Sequence, residues 1–292
     1  MKPDILYEDN DLIVCIKPAG IPTQSSRIGT PDLVSILKNH LHTSSVGKPR
    51  QPYLAVIHRL DQPVEGILVF TKNQKAAASL NRQLQSDGFG KHYLAWLCGS
   101  LPGDEGDLID HLVKNGRSNT STVCAKDTPG AKEARLHYKV ICRREETSLA
   151  EITLDTGRHH QIRVQMAHAG CPILGDRKYG NSGIHSSSSS SASSLPMPRQ
   201  LQLFAWRLTF IHPTSGRKME FKLSDERLPV VNEDIRLDPG TMRIGDKFLS
   251  MHTLSDLDML PQSVATDFRY ERLSTDRSDC RLSFAAPVGL LL

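Results

Sequence analysis

The sequence lacks any apolar run long enough to form a membrane-spanning helix, and its first residues lack the apolar segment of a secretory signal. It also lacks a Cys-x-x-Cys pair. The six cysteines, at positions 15, 98, 124, 142, 171 and 280, are scattered and form no tight cluster with histidine. This spacing argues against a disulfide framework or a zinc site and predicts free thiols. We therefore expect a protein of the reducing cytoplasm that has no membrane segment and binds no metal.

The composition is that of an ordinary globular protein, but its charge is unevenly placed. With 292 residues, 38% hydrophobic and 23% charged, the chain is long enough to bury a sizeable core. Residues 230–292 carry seven Lys/Arg and ten Asp/Glu, a net charge of −3, whereas residues 1–229 have a net charge of +7, which gives +4 for the whole chain. A basic body suits a polyanionic partner such as nucleic acid, although a solvated surface of mixed charge explains the charge equally well.

Segments with strand patterns outnumber those with helical patterns, and the two kinds do not alternate strictly, which predicts an α+β fold. Helices are predicted over residues 30–41, 73–86 and 161–169. Thr30 is the expected N-cap of the first with Pro31 at its first position, and Gly170 stands just past the end of the third. Strands are predicted within residues 5–20, 53–57, 66–72, 91–99, 133–144, 147–157, 201–213 and 217–223.

Two segments stand apart from this pattern. Residues 181–196 form a serine tract with no means of packing, which predicts a mobile surface loop. Residues 231–292 show short apolar pieces without a clean period, so we expect either a small appendage or a partly disordered extension, of unknown role. One main domain is therefore predicted over residues 1–230.

The segment "IHRLDQPVEG", residues 57–66, places a histidine, an arginine and an aspartate between two apolar runs. Asp61 follows one predicted buried strand and precedes Pro63 and Gly66, so the chain must turn there. A carboxylate at the mouth of a sheet is well placed for catalysis. The alternative is an ordinary turn in which Asp61 bonds only its own backbone, and the local sequence alone favours it.

A second polar cluster lies at the start of the third predicted helix, in "TGRHHQIRVQMAH". It contains Arg158, His159, His160, Gln161 and Arg163. Polar side chains crowded at a helix N-terminus suggest anion binding, for example of RNA phosphates, and a solvated basic helix end is the alternative. Metal binding by the two histidines is disfavoured, because adjacent side chains point in different directions and no carboxylate or cysteine has ligand spacing.

A tyrosine stands on the strand predicted within residues 91–99. Tyr93 shares one face of that strand with Ala95 and Leu97, whereas Trp96 lies on the other face. A strand tyrosine usually packs in a core or against a neighbouring strand, so Tyr93 alone indicates no function.

Together these elements resemble the RluA-type pseudouridine synthases over roughly residues 4–223. The family's first hallmark is His-Arg-Leu-Asp followed by a glycine and an apolar strand, and here it comprises residues 58–61 and Gly66. The second hallmark is represented by "GRHHQIRVQMAHAGCPILGDRKYG", residues 157–180. Three further segments, "LYEDNDLIVCIKPAG", "KHYLAWLCG" and "LQLFAWRLTFIHPTSG", are similar to family blocks and stand in the family's order.

The resemblance implies the roles of three catalytic residues. Asp61 matches the catalytic aspartate of the family, and Arg163 matches the arginine that pairs with it. A cation beside a carboxylate favours its ionised form. Tyr93 matches the tyrosine that stacks on the target uracil.

Four further residues are implied as substrate contacts. Arg59 resembles the residue that fills the space left by a flipped-out nucleotide. His58, Arg158 and Lys17 are candidates for other RNA contacts, the last two of them to phosphates. The fold that the resemblance implies is a long mixed, mostly antiparallel sheet in two halves, with flanking helices and a central cleft.

The resemblance also implies the reaction. The N1–C1′ bond of a uridine in ribosomal or transfer RNA is broken, and the uracil is rejoined through C5. No atom is gained or lost, so we expect no cofactor. We also expect an RNA partner and a monomeric enzyme. One ionised carboxylate is needed, either to attack C1′ or to remove the 2′ proton, and the sequence leaves both routes open. Since the chain starts directly at the catalytic domain, we expect no N-terminal S4 RNA-binding module.

Two departures from the family pattern keep other interpretations open. Val64 and Glu65 replace the usual Thr-Ser, and His159 replaces a common Thr. Glu65 supplies a second carboxylate four residues from Asp61, so a glycosidase or nucleosidase with an acid/base pair is one alternative. A catalytically silent RNA-binding protein on the same core is another, although all three catalytic residues are present.

Overall fold

A computed structural model of the chain describes residues 2–25, 29–43, 52–86, 88–144, 146–180, 198–224 and 227–228, and the backbone of 241–244 and 247–250. The chain divides into two compact units, Met1–Ile235 and Arg236–Leu292. The serine tract and most of the predicted extension lie outside the described residues. The five cysteines that the structure describes are free thiols, as predicted.

The helices are α1 (Leu33–Thr43), α2 (Gln74–Leu84) and α3 (Gln161–His168). The strands of the first unit are β1 (Asp4–Glu8), β2 (Leu12–Lys17), β3 (Ala55–Val56), β4 (Glu65–Thr71), β5 (Gly90–Cys98), β6 (Glu105–Asn115), β7 (Thr120–Cys124), β8 (Lys132–Arg143), β9 (Thr147–Leu154), β10 (Leu203–Ile211) and β11 (Lys218–Lys222). The second unit contains an antiparallel pair, β12 (Thr241–Ile244) and β13 (Lys247–Ser250). Within the described ranges, no helix has both the length and the apolar character needed to cross a membrane.

The strands of the first unit form one sheet in the order β1-β2-β4-β10-β5-β9-β8-β6-β7, with β3 beside β4 and β11 beside β10. Among these described strands, every pairing is antiparallel except that of β4 with β10. This parallel pairing joins the two halves of the sheet through only two residue pairs, Phe204 with Glu65 and Ala205 with Gly66. The predicted α+β class and the long mixed, mostly antiparallel sheet are confirmed.

Gly66 allows the two halves of the sheet to meet. Its φ is +151°, and a Cβ atom at this position would lie 2.4 Å from the Cβ of Ala205. Any side chain would therefore push β4 away from β10. Because the loop that carries Asp61 ends at β4, the glycine also fixes that loop against the middle of the sheet.

Residues of each strand alternate between the two faces of the sheet. We call the face packed against α1 and α3 the front face and the face packed against α2 the back face. Tyr93, Ala95 and Leu97 of β5 belong to the front-face core, and Leu94 and Trp96 pack in a cluster on the opposite side, as predicted. Strand β4 is buried on both faces after its first residue.

Three elements differ from the sequence-based expectation. Helix α1 begins later than predicted because its cap is Asp32 rather than Thr30, and the Asp32 carboxylate accepts the backbone N–H of Ser35 at 2.7 Å. Strands β6 and β7 have no counterpart among the predicted strands. Strand β6 fully buries only Leu112, so its hydrophobic alternation is weak.

Candidate active site

Asp61 lies in the loop between β3 and β4. The backbone N–H of Val64 donates to the Asp61 carbonyl oxygen at 3.0 Å and closes a turn. The Asp61 side chain is used differently, because its Oδ2 accepts a hydrogen bond from Arg163 Nη1 at 3.2 Å. A quarter of the Asp61 side chain (25%) remains exposed. The ordinary-turn interpretation therefore does not describe this carboxylate, which is paired on one side and open on the other.

Arg163 is held between two carboxylates. Its Nε and Nη2 donate to Asp176 Oδ2 and Oδ1 at 2.7 and 2.8 Å, which is a bidentate pair, and Nη1 is left for Asp61. Burial lowers the pKa of Arg163, but hydrogen bonds and charge from Asp176 and Asp61 outweigh that effect, and the net pKa is raised. The guanidinium is therefore charged and fixed in orientation.

Asp176 is a site residue that the sequence-based prediction missed. Its Oδ1 also accepts the backbone N–H groups of Lys178 and Tyr179, at 2.9 and 3.2 Å. Burial raises the pKa of Asp176, but Arg163 and these two N–H groups lower it further, so the net pKa is lowered. The sequence does contain a signal for this residue, because Asp176 belongs to the "GDRKYG" part of the second hallmark.

His160 lies beside the open carboxylate. It precedes α3 in a left-handed conformation (φ 54°), and its Nε2 is 3.6 Å from Asp61 Oδ2. Burial lowers the pKa of His160 to about 4, although Asp61 opposes this shift, so the ring is neutral at neutral pH. Its Nδ1 lies 2.7 Å from the hydroxyl of Tyr179. The tautomer with the proton on Nε2 suits both neighbours. Nδ1 then accepts a hydrogen bond from the Tyr179 hydroxyl, and Nε2 presents an N–H group, not a lone pair, to the Asp61 carboxylate.

Tyr93 stands on the front face of β5, opposite Ile152 of β9. Burial, and then the negative charge of Asp61, raise the pKa of the Tyr93 phenol. The side chain is therefore a neutral phenol at physiological pH. The ring is flat and uncharged but buried, with 7% of the residue exposed, so stacking on a base requires neighbouring side chains to move.

Arg59 and Arg158 are exposed, as contacts to RNA require. Arg59 lies two residues before Asp61 in the same loop. The Arg158 Nε donates to the carbonyl oxygen of Glu133 at 2.7 Å, which leaves the terminal nitrogens of its guanidinium available. The predicted RNA contacts of both arginines remain predictions.

The position of Lys17 contradicts the prediction that this residue contacts phosphate. Its side chain is fully buried, and Nζ donates to the carbonyl oxygens of Pro18, Ile21 and Gln62 at 2.9, 2.8 and 3.1 Å. Burial lowers the pKa of Lys17 to about 8. All three N–H groups of the ammonium are used, so Lys17 ties β2 to the Asp61 loop and has no donor left for a phosphate.

His58 is also shielded. Its ring packs edge-on against Phe89 with centroids 5.3 Å apart, and neither ring nitrogen has a hydrogen-bond partner within the described ranges. Burial and the neighbouring Lys91 lower the pKa of His58 to about 3. A direct bond from this ring to RNA requires the surrounding side chains to move. Lys91 was not predicted as a site residue, although it lies two residues before Tyr93 on the same strand face and is buried.

The side chains of His159 and His160 do not point in different directions, although the sequence-based argument against metal binding assumed that they do. Because His160 is left-handed, its ring stacks on that of His159 with centroids 3.7 Å apart. The ring nitrogens of His159 face protein partners, Ser121 Oγ at 2.9 Å and Asn119 Oδ1 at 3.0 Å. The pair therefore fastens neighbouring segments together.

One group of described residues, Asp9, Asp11 and His212, has potential metal ligands close together. It lies at the turn between β1 and β2. Asp9 Oδ2 accepts from the hydroxyl of Tyr7 and lies 2.8 Å from His212 Nε2, and Asp9 Oδ1 accepts the N–H groups of Asp11 and Leu12. These hydrogen bonds explain why the three side chains lie together, because they join the β1–β2 turn to the turn that follows β10.

Glu65 is engaged away from Asp61. Its Oε1 accepts from Arg227 Nη1 at 3.2 Å, and Arg227 Nη2 donates to Asp4 Oδ2 at 2.6 Å. Leu228, the neighbour of Arg227, packs in the back-face core. Glu65 is therefore directed toward the back face, whereas Tyr93 lies on the front face.

Comparison with known proteins points to the same family each time. Residues 11–168 match the family model for RNA pseudouridylate synthase. The chain is 36% identical to ribosomal large subunit pseudouridine synthase D of Nitrosomonas europaea, over 73% of this chain and 59% of that protein. It is 35% identical to an uncharacterized RNA pseudouridine synthase of Aquifex aeolicus, over 76% of this chain and 69% of that protein. The chain thus spans less than two thirds of the length of the first of these relatives.

A solved structure shares the fold. Human RNA pseudouridylate synthase domain containing 4 superimposes with a TM-score of 0.62 at 22% identity, over 77% of this chain and 88% of that chain. At this level of identity the likeness concerns the fold alone.

Proposed function

The chain belongs to the RNA pseudouridylate synthase family, and we propose that it converts uridines in RNA to pseudouridine. The observation that carries this proposal is the pairing of a partly exposed Asp61 with the buried Arg163, on the front face that also holds Tyr93. All three residues lie within the part of the chain that matches the family.

Asp61 supplies the ionised oxygen at the sugar. Arg163 bonds to Oδ2 and is itself held by Asp176, so the other oxygen of Asp61 can approach the substrate while the pair stays in place. That oxygen either attacks C1′ or removes the 2′ proton. By either route the N1–C1′ bond breaks, the uracil turns and C5 bonds to C1′, while the carboxylate leaves C1′ or the 2′ proton is returned. The proton on C5 is released and N1 takes up a proton. The overall change is an isomerisation, which requires no cofactor.

Tyr93 and Arg59 would receive the target nucleotide. Taking a nucleotide out of its stack costs a few kcal/mol, which stacking and hydrogen bonds in the site must offset. The neutral ring of Tyr93 suits stacking on uracil, and the exposed Arg59 can fill the space that the base leaves. Arg158, which is also exposed, would contact phosphate.

The substrate would be ribosomal or transfer RNA, and the name of the Nitrosomonas relative makes large-subunit ribosomal RNA the first to test. We propose a monomer acting in the cytoplasm. Mapping pseudouridine in total RNA from cells with and without this gene should show one or a few positions lost in its absence. Identical maps would contradict the proposed activity.

Glu65→Gln should keep turnover close to that of the unmodified protein, because Glu65 is paired on the back face and is not part of the candidate site. Its ion pair with Arg227 is partly exposed, so the free energy of unfolding should fall by about 1 kcal/mol or less. The measurements are tritium release from RNA containing 5-tritiated uridine and unfolding in urea.

Asp4→Asn is the matched control, because it removes the other carboxylate bonded to Arg227. Loss of tritium release in Glu65→Gln but not in Asp4→Asn would make Glu65 part of the chemistry. The two-carboxylate glycosidase alternative instead predicts free uracil that keeps its tritium. The silent RNA-binding alternative predicts no tritium release from any form of the protein.

The catalytic domain is proposed to coincide with the first compact unit. The eleven-stranded sheet and every candidate site residue precede Ile235. Truncation after Ile235 should therefore leave a folded protein with most of the tritium release of the full chain. Thermal unfolding of both forms tests this expectation, and a truncated protein that fails to fold would make the extension part of the domain.

A further inference from the structure

The hairpin of β6 and β7 is fastened to the candidate active site through a histidine. His159 Nδ1 lies 2.9 Å from the hydroxyl of Ser121, and His159 Nε2 lies 3.0 Å from Oδ1 of Asn119. Ser121 belongs to β7, and Asn119 belongs to the turn that joins the two strands. The His159 ring also stacks on His160, which adjoins the Asp61 carboxylate. The His159 side chain therefore connects the β6–β7 turn to His160, which borders the candidate active site.

Two contacts from a neighbouring segment reinforce this connection. Lys178 Nζ donates to the carbonyl oxygen of Asn119 at 2.8 Å, and the Tyr179 hydroxyl accepts the backbone N–H of Ser121 at 2.9 Å. Asn119 has a left-handed conformation (φ 49°), which is uncommon for residues other than glycine. The bond from His159 helps to hold that conformation and so defines the shape of the turn.

The fastened hairpin carries positive charge next to the site. Lys114 pairs directly with Ser121 in the β6–β7 register, so its side chain leaves the sheet on the same face as the Ser121 hydroxyl. Arg117 stands in the turn, and both cations are exposed. After burial, the charge of Lys114 is the next largest cause of the lowered pKa of His159. Exposed cations beside an RNA-modifying site suit contacts to phosphate.

We propose that His159 is a positioning residue that holds the β6–β7 turn against the active site, so that Lys114 and Arg117 contact phosphates of the RNA near the target uridine. The inference rests on the proposed function, because it requires an RNA substrate. His159 acts through the turn and does not touch the reacting atoms, so its loss weakens RNA binding without slowing the chemistry of bound RNA.

A double-mutant cycle in the full-length protein tests the coupling. His159→Ala and Lys114→Ala should each raise KM for a transcript of large-subunit ribosomal RNA by about fivefold, the order expected for one charge-assisted contact, with kcat nearly unchanged. When both are combined, KM should rise little beyond the larger single effect, because a displaced turn no longer presents Lys114. Fully independent effects, or a loss confined to kcat, would overturn the inference.

Two comparisons separate positioning from a general structural defect. Lys139→Ala is the matched control, since Lys139 is exposed on β8 but pairs with Glu105 on the opposite face, and it should leave KM unchanged. Amide hydrogen exchange at Thr120 and Ser121 should accelerate in His159→Ala but not in Lys139→Ala.

Direct RNA binding distinguishes failure of this inference from failure of the proposed function. Unchanged RNA affinity in His159→Ala, with normal pseudouridine formation by the unmodified protein, would overturn only the inference. RNA binding that weakens as described, in a protein that forms no pseudouridine, would support the turn as an RNA contact while the proposed reaction fails. A protein that binds no RNA would contradict both.

Discussion

Asp61→Asn should abolish tritium release and leave RNA affinity close to that of the unmodified protein. The amide has nearly the same shape, and the loop is held by backbone contacts that do not involve the carboxylate, including the Val64 N–H bond and the Lys17 bond to Gln62. Arg163 keeps its bidentate pair with Asp176. An amide supplies no charged oxygen for C1′ or the 2′ proton, so turnover should fall by about 10²–10⁴-fold or more.

The measurement combines tritium release and RNA binding on one preparation. Affinity should persist because most of it comes from cationic contacts to phosphates away from this carboxylate. Asp127→Asn, an exposed aspartate in the loop after β7, is the control for a change of one charge and should behave like the unmodified protein. Tritium release by Asp61→Asn at the normal rate would refute the mechanism.

The parts of the fold that the sequence predicts are those in which the hydrophobic pattern decides the structure. The run at β4 is buried on both faces, and α3 ends before Gly170, whose φ is +80°. The β6–β7 hairpin was missed because much of it faces solvent, where hydrophobic alternation is weak. Its Asn115-Gly116 dipeptide is nevertheless a known hairpin signal.

The candidate site was predicted from the family resemblance and not from local pattern. Asp61 and Arg163 are 102 residues apart in sequence and meet only because α3 packs on the front face near the β3–β4 loop. Asp176 was missed because its role depends on its contact with Arg163, the arginine that also contacts Asp61, and the sequence does not show that contact. Lys17 was wrongly expected at a phosphate, since its positive charge is visible in the sequence but its burial is not.

Arg163→Met should abolish turnover and also destabilise the fold, for two different reasons. Asp61 loses its cation, which removes the fixed pair that the reaction requires. Asp176, whose side chain is 1% exposed, becomes an unpaired buried charge, and breaking such a pair costs about 3–5 kcal/mol. Unfolding in urea and tritium release measure the two effects separately.

The pH dependence of the stability loss follows from Asp176. In the unmodified protein its pKa is lowered on balance, so its stabilising contribution is present above the ordinary carboxyl pKa and is lost as the pH falls through the lowered value. Without Arg163 burial dominates and the pKa of Asp176 rises, so the variant carries its penalty at neutral pH. The deficit relative to the unmodified protein should therefore shrink as the pH approaches about 4.

A second substitution separates the two roles of Arg163. Adding Asp176→Asn to Arg163→Met removes the unpaired buried charge, so most of the lost stability at neutral pH should return. Turnover should not return, because Asp61 still lacks its positive partner. Recovery of tritium release together with stability would mean that Arg163 serves only the fold, and the pairing of Asp61 with Arg163 would then have no part in the chemistry.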